Sequence, residues 1–147
     1  MNSAALKYTA LNTLLQQPEP LVMGILNVTP DSFYAPSRVA DGDSLVARAR
    51  RMVEEGSDVL DVGACSTRPG SVPVSEEEEL RRLLPALETL RKELPQVALS
   101  VDTSSARVAI ECLQRFGPLI INDVTGQMAA EDATDVFPTD VWGFHTC

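Results

Sequence analysis

The chain has 147 residues, about one domain's length, and its 12 Lys+Arg against 21 Asp+Glu leave a formal net charge of −9. That balance excludes nucleic acid and a membrane surface as partners, because phosphates and anionic lipids both demand a basic face. With 44% hydrophobic and 22% charged residues the composition is that of a globular protein with a core. The most apolar runs, Leu21–Leu26 and Leu119–Ile121, are too short to span a bilayer. Met1–Asn12 carries one Lys and no long apolar stretch, which excludes a secretory signal. Cys65, Cys112 and Cys147 are odd in number and form no CxxC pair, as suits a reducing cytoplasm. His145 is the single histidine, so a histidine-rich zinc site is excluded and a Ser-His-Asp triad is disfavoured.

In chain order, residues 1–20 read as a short hairpin or a loose arm. Leu21–Asn27 is a buried strand, followed by a loop rich in Pro, Asp and Ser. Asp43–Glu55 is a helix capped by Asp41 or Asp43, with Leu45, Val46, Ala49, Met52 and Val53 on one face and Gly56 as a left-handed stop. Val59–Val62 is a second strand and Gly63–Val74 a second loop. Ser75–Leu94 is a longer helix with a leucine stripe and a kink expected at Pro85. Val97–Asp102, Ser105–Phe116 and Leu119–Asp123 complete the pattern as strand, helix and strand. This βαβαβαβ order implies a parallel sheet with right-handed crossovers, either a small open sheet or the first half of an eight-stranded barrel.

In such folds ligands sit at the carboxyl ends of strands, and that is where the chemistry-bearing residues cluster. Asn27 ends the first strand with a neutral oxygen suited to a hard cation such as Mg²⁺, although Thr29-Pro30-Asp31-Ser32 also reads as a plain turn. Ser66-Thr67-Arg68-Pro69-Gly70 offers hydroxyls, a bidentate guanidinium and a glycine able to wrap an anion; the alternative is a solvated loop arginine. Asp102 is either the cap of the next helix or a carboxylate reading a ligand's N–H groups, and Ser104 and Ser105 are at hand to do the capping. Asn122 presents a donor and an acceptor to a flat heterocycle, and Asp61 either joins the site or is structural. The acidic run Glu76–Glu79 is explained by helix capping, with Glu78 at the capping-box position after Ser75, and by the macrodipole. Cys65 reads as a packing residue.

Met23-Gly-Ile-Leu-Asn-Val-Thr-Pro-Asp-Ser-Phe33, Ser66-Thr-Arg-Pro-Gly70, Val101-Asp-Thr103 and Ile121-Asn-Asp123, in this order, resemble dihydropteroate synthase over roughly Leu21 to Gly126. The resemblance implies an α/β fold, a (β/α)8 TIM barrel of the pterin-binding type, here with about the first four strands and three helices. It implies the condensation of 6-hydroxymethyl-7,8-dihydropterin diphosphate with 4-aminobenzoate for folate synthesis, in an enzyme that is a homodimer at full length. By motif, Asn27 would bind Mg²⁺ at the diphosphate, Thr67 would contact the diphosphate, and Asp102 and Asn122 would hold the pterin. Phe33, Arg68 and Pro69 would fold over the 4-aminobenzoate, in the place sulfonamides occupy. Arg68 and Asp102 would serve catalysis, by stabilising the leaving group and the pterin respectively, with Asp61 as a further substrate contact.

The family's barrel continues through four more strands, with an Asp, a Lys and an Arg-x-His motif that have no counterpart here. From Gln127 to Cys147 the text departs from the family, as a divergent tail, and a frameshift or truncated gene is the expected origin. Two other readings stand beside synthase activity: a fragment that binds pterin weakly or not at all, and a methyltetrahydrofolate-type pterin methyltransferase domain.

Overall fold

The computed structural model describes residues 11–29, 41–65, 70, 72–123, 125 and 143–144. It contains five parallel strands: β1 (Met23–Asn27), β2 (Val59–Gly63), β3 (Ala98–Asp102), β4 (Ile120–Asn122) and β5 (Gly143–Phe144). Three helices connect the first four: α1 (Asp41–Glu54), α2 (Glu76–Glu93) and α3 (Ala106–Phe116). Residues 11–16 are helical and so not part of a hairpin, and residues 1–10 of the expected hairpin or arm lie outside the described residues.

Spatial order equals chain order, β1-β2-β3-β4-β5. Every crossover therefore steps the same way, and right-handed connections stack all the helices on one side of the sheet. This is the winding of a (β/α)8 barrel rather than of a doubly wound sheet, whose strand order reverses. The fourth strand is paired by β5, a strand from the segment that the sequence presents as a divergent tail.

Strand alternation divides the sheet into two faces. Leu26, Val62, Val101 and Ile121 share one register row and join Leu60 and Leu99 in a single buried cluster. Leu45 and Ala49 of α1, Leu80, Leu83, Leu87 and Leu90 of α2, and Val108, Ala109 and Cys112 of α3 complete that cluster. The predicted helical stripes thus meet one face of the sheet, and the other is left for chemistry. On β1 the expected buried strand is only half realised. Leu26 is fully buried, yet Ile25 on the opposite face is 60% exposed and Met23 39%, because β1 pairs on one side only.

Helix ends follow the sequence closely. Ser75 caps α2 by accepting from the Glu78 backbone N–H at 3.2 Å, and Ser105 caps α3 by accepting from Val108 at 3.2 Å. Helix α1 begins at Asp41, two residues before its expected start, so Asp41 and Asp43 stand within its first turn rather than ahead of it. Gly56 ends α1 with φ +110°, the left-handed stop expected of it. The helix assignment runs unbroken through Pro85, whose carbonyl accepts from the Thr89 hydroxyl at 2.9 Å.

The capping box is only half formed, because the Glu78 carboxylate is taken by Arg81 and Arg82. Arg82 in turn donates to the Ala64 carbonyl at 2.9 Å, tying α2 to the end of β2. At the other end of α2, Arg91 donates to the carbonyls of Phe116 (3.1 Å), Val97 (3.2 Å) and Pro118, so one guanidinium fastens the turns entering β3 and β4. Leu87 lies fully buried at the centre of the helix–sheet contact. Leu87→Ala is expected to cost roughly 2–5 kcal/mol, read as an earlier urea midpoint; an unmoved midpoint would contradict this placement of the core.

Candidate functional site

On the face away from the helices, the register rows bring distant residues together. Asn27, Gly63, Asp102 and Asn122 are direct neighbours across β1 to β4 at the carboxyl end of the sheet. One row deeper stand Ile25, Asp61, Ser100 and Ile120. Asp61 is therefore inside its strand, not at its end, because β2 continues to Gly63.

The missing side chain in the upper row matters most. A methyl on Gly63 would lie 3.4 Å from Asp102 Oδ2 and 3.7 Å from Asn27 Oδ1. Without it, the two polar side chains flank a gap whose floor is backbone. Asn27 is exposed, as a rim group must be to meet a ligand, whereas Asn122 is 8% exposed. The Asn122 amide donates from Nδ2 to Asp61 Oδ2 at 3.2 Å across a fully buried contact. The other Asp61 oxygen, Oδ1, and the Ser100 hydroxyl oxygen on the neighbouring strand are buried without a hydrogen-bond partner. Asp61 Oδ1 is an open acceptor, and the Ser100 hydroxyl, able to donate as well as accept, stands beside Asp61 in the same register row.

The electrostatics point the same way. Asp102 is pushed up to about 6, chiefly by burial and then by the negative charges of Asp61, Glu79 and Asp123. Burial also raises Asp61, against the opposing effect of the Ser100 and Asn122 side chains. Among the described residues this face is short of positive charge and rich in acceptors, suited to a ligand edge bearing several N–H groups. Asp102 does not cap α3, since Ser105 performs that duty. Asp123 accepts from both the backbone N–H (3.1 Å) and hydroxyl (2.8 Å) of Thr125, closing the turn after β4.

Among the predicted site residues, the structure thus joins Asn27, Asp61, Asp102 and Asn122. Phe33, Thr67, Arg68 and Pro69 lie outside the described residues, as does His145. The Cys65 thiol is raised by burial and by Glu79 and Asp102, which agrees with a packing role rather than a nucleophilic one.

Two contributors escaped the sequence reading. Gly63 carries no motif signal except its place two residues after Asp61 on a strand. Glu79 reads in the sequence as one of a run explained by capping and the macrodipole, yet it is 6% exposed and its carboxyl is raised by burial. Capping and dipole also do not exhaust the rest of that run, because Glu76 and Glu77 bind Arg107 of α3 at 3.2 and 2.8 Å.

Comparison with known proteins follows this geometry. The family described as pterin binding enzyme matches residues 23–139, running past Gly126 into the segment expected to diverge. Dihydropteroate synthase of Bacillus subtilis (strain 168) is 44% identical over 119 residues, covering 81% of this chain and 41% of that protein. The crystal structure of the Clostridium difficile dihydropteroate synthase, solved in the presence of pteroic acid, superimposes with a TM-score of 0.69 at 43% identity, covering 75% of this chain and 41% of that one. A Xanthomonas albilineans dihydropteroate synthase with 4-aminobenzoic acid gives 0.69 at 40% identity, covering 81% and 44%. The chain thus spans about two fifths of the length of these relatives.

The raised Asp102 carboxyl fixes a sign. Between the unfolded value near ~3.9 and about 6, the folded chain keeps a proton that the unfolded chain has released, so this group's contribution to stability falls as pH rises through that window. Carboxyl NMR is expected to show Asp102 titrating near 6 and to show a lower midpoint in Asp61→Asn. A normal aspartate midpoint in the wild-type chain would refute the crowding of these acids.

Proposed function

The chain belongs to the pterin-binding enzyme family, and from that premise we propose that its site serves the dihydropteroate synthase reaction. In that reaction the amine of 4-aminobenzoate attacks the methylene carbon of 6-hydroxymethyl-7,8-dihydropterin diphosphate. A C–N bond forms, the C–O bond to diphosphate breaks, and the amine loses a proton. The observation that carries the reading is the row Asn27, Gly63, Asp102 and Asn122, which sets motif residues of three strands around the gap left by a glycine on the fourth. The likeness to synthases solved with pteroic acid and with 4-aminobenzoic acid supports it.

Asp102 and Asn122 would then hold the pterin edge, with Asp61 fixing the Asn122 amide from below. As diphosphate departs, the electron-poor pterin gains from a carboxylate already in place, which costs no reorganisation at the moment of reaction. The amine nucleophile is neutral at pH 7, so a strong general base is not required. By motif, Thr67 and Arg68 would meet the diphosphate, and Phe33, Arg68 and Pro69 would enclose the 4-aminobenzoate at the place where sulfonamides compete.

Mg²⁺ fits the rim on chemical grounds. Asn27 offers one exposed neutral oxygen, and among the described residues no cluster of three His, Cys, Asp or Glu could hold a metal by itself. Mg²⁺ commonly takes one or two protein oxygens and completes its shell with water and substrate phosphates. When bound, the ion would neutralise charge developing on the leaving diphosphate. We place this activity in the cytoplasm, in a homodimer at the family's full length.

Titration calorimetry with the pterin diphosphate tests the reading. Affinity is expected to rise from pH 5 to pH 7, because the ligand needs the ionised form of a carboxyl that titrates at about 6. Asp102→Asn should weaken binding by about tenfold or more, and Asn27→Ala should remove only the Mg²⁺-dependent gain. Gly63→Ala should also weaken binding with little change in melting temperature, since its methyl meets ordinary contacts of 3.4 Å and beyond. Unchanged affinity in Asp102→Asn would overturn the pterin assignment, and an assay for dihydropteroate decides whether binding proceeds to turnover.

A further inference from the structure

We propose that Asp61 determines specificity: by locking the Asn122 amide in one of its two flips, it makes the site accept a pterin and reject the heterocycle with oxygen in place of the pterin's amino group. The inference rests on reading Asn122 as a contact of the pterin edge, and it gives Asp61 a positioning role beneath that contact.

The bond between the two side chains is a diagonal across three strands. Asp61 on β2 lies opposite Ser100 of β3, and Asn122 on β4 lies opposite Asp102, one row nearer the rim. With strands about 4.8 Å apart, β2 and β4 stand roughly 10 Å from each other. The 3.2 Å bond from Asn122 Nδ2 to Asp61 Oδ2 therefore closes over β3, between Ser100 and Asp102. Two short residues leave it room. Ser100 is small where the diagonal starts, and Gly63, next on the same face of β2, adds no side chain above Asp61. The bond is well buried, with Asp61 3% exposed and Asn122 8%.

A carboxylate is a costly choice for that place, and its second oxygen, Oδ1, has no hydrogen-bond partner. An asparagine would fill the same volume and bond to Asn122 without burying a charge. What a carboxylate enforces is polarity. It accepts and does not donate, so the Asn122 amide can meet it through Nδ2 alone. An asparagine at the same position could meet either end of that amide, and both flips would be open.

The flip matters because an amide is a donor beside an acceptor and pairs with an edge of the opposite order. A pterin carries a ring-nitrogen acceptor, N1, next to a donating amino group. In its 2-oxo counterpart, a lumazine, the order is reversed, with an N1–H donor next to a carbonyl. One flip of Asn122 fits the first edge and the other flip fits the second. Asp61 thus separates two molecules of nearly the same shape without touching either.

Calorimetry at pH 7 on the 147-residue chain tests this with 6-hydroxymethylpterin and 6-hydroxymethyllumazine as probes. Wild type is expected to prefer the pterin by about tenfold or more. Asp61→Asn keeps the size, and its preference should fall to within about threefold, chiefly through tighter binding of the lumazine. Both affinities are read on the same folded protein, so a purely structural Asp61 would move them together and leave their ratio alone. A wild-type ratio near one, or an unmoved ratio in Asp61→Asn, would overturn the proposal. Should Asp61→Asn fail to fold, Asp61→Ser, too short to reach Asn122, must lose the preference likewise, and the wild-type ratio stands as a test in either case. Asp102→Asn separates this inference from the pterin reading. Pterin binding that depends on Asp102, with the ratio unmoved in Asp61→Asn, defeats the role of Asp61 alone. Binding indifferent to Asp102, or no binding of either probe by the wild type, defeats the pterin reading and this inference with it.

Discussion

The parallel register of β1 to β4 is the constraint from which the site follows. Because strand side chains alternate, a register that stacks Leu26, Val62, Val101 and Ile121 on the helices must also stack Asn27, Gly63, Asp102 and Asn122 one residue on. Hydrophobic burial thus supplies the alignment of the polar row. A slip of one residue in any strand would exchange the two faces, burying a site residue among leucines and exposing a valine or leucine at the rim. The core and the site are two readings of a single pairing.

The polar face is held under electrostatic tension. Asp61 and Asp102 share it with no compensating cation among the described residues that form it, and Glu79 and Asp123 add negative charge nearby. Such an arrangement gives up stability and gains acceptors that already point at a ligand edge. The unpaired Asp61 oxygen and Ser100 hydroxyl belong to the same pattern.

Helix α2 is more than the leucine stripe its sequence displays. Through Arg82 it holds the end of β2, through Arg91 the turns entering β3 and β4, and through Glu76 the turn leaving β3. Its apolar face supplies burial, and its polar ends fix the strand termini that carry the chemistry.

Periodicity was enough to place β1 to β4 and the three helices within a residue or two, because each helix shows a 3.6-residue stripe and each strand an apolar run. The caps at Ser75 and Ser105 and the stop at Gly56 were equally legible, being local effects of a side chain or a φ angle on its own backbone. Motif order likewise indicated Asn27, Asp102 and Asn122. The tertiary structure alone decided what depends on pairing between distant segments. It set Asp61 beneath Asn122 instead of at a strand end, opened the gap over Gly63, and paired β4 with β5 from a segment without a recognisable pattern. It also buried Glu79 while leaving Glu76 and Glu77 exposed, although all three read alike in one acidic run. Burial of a charge is fixed by what packs over it, and no local pattern records that.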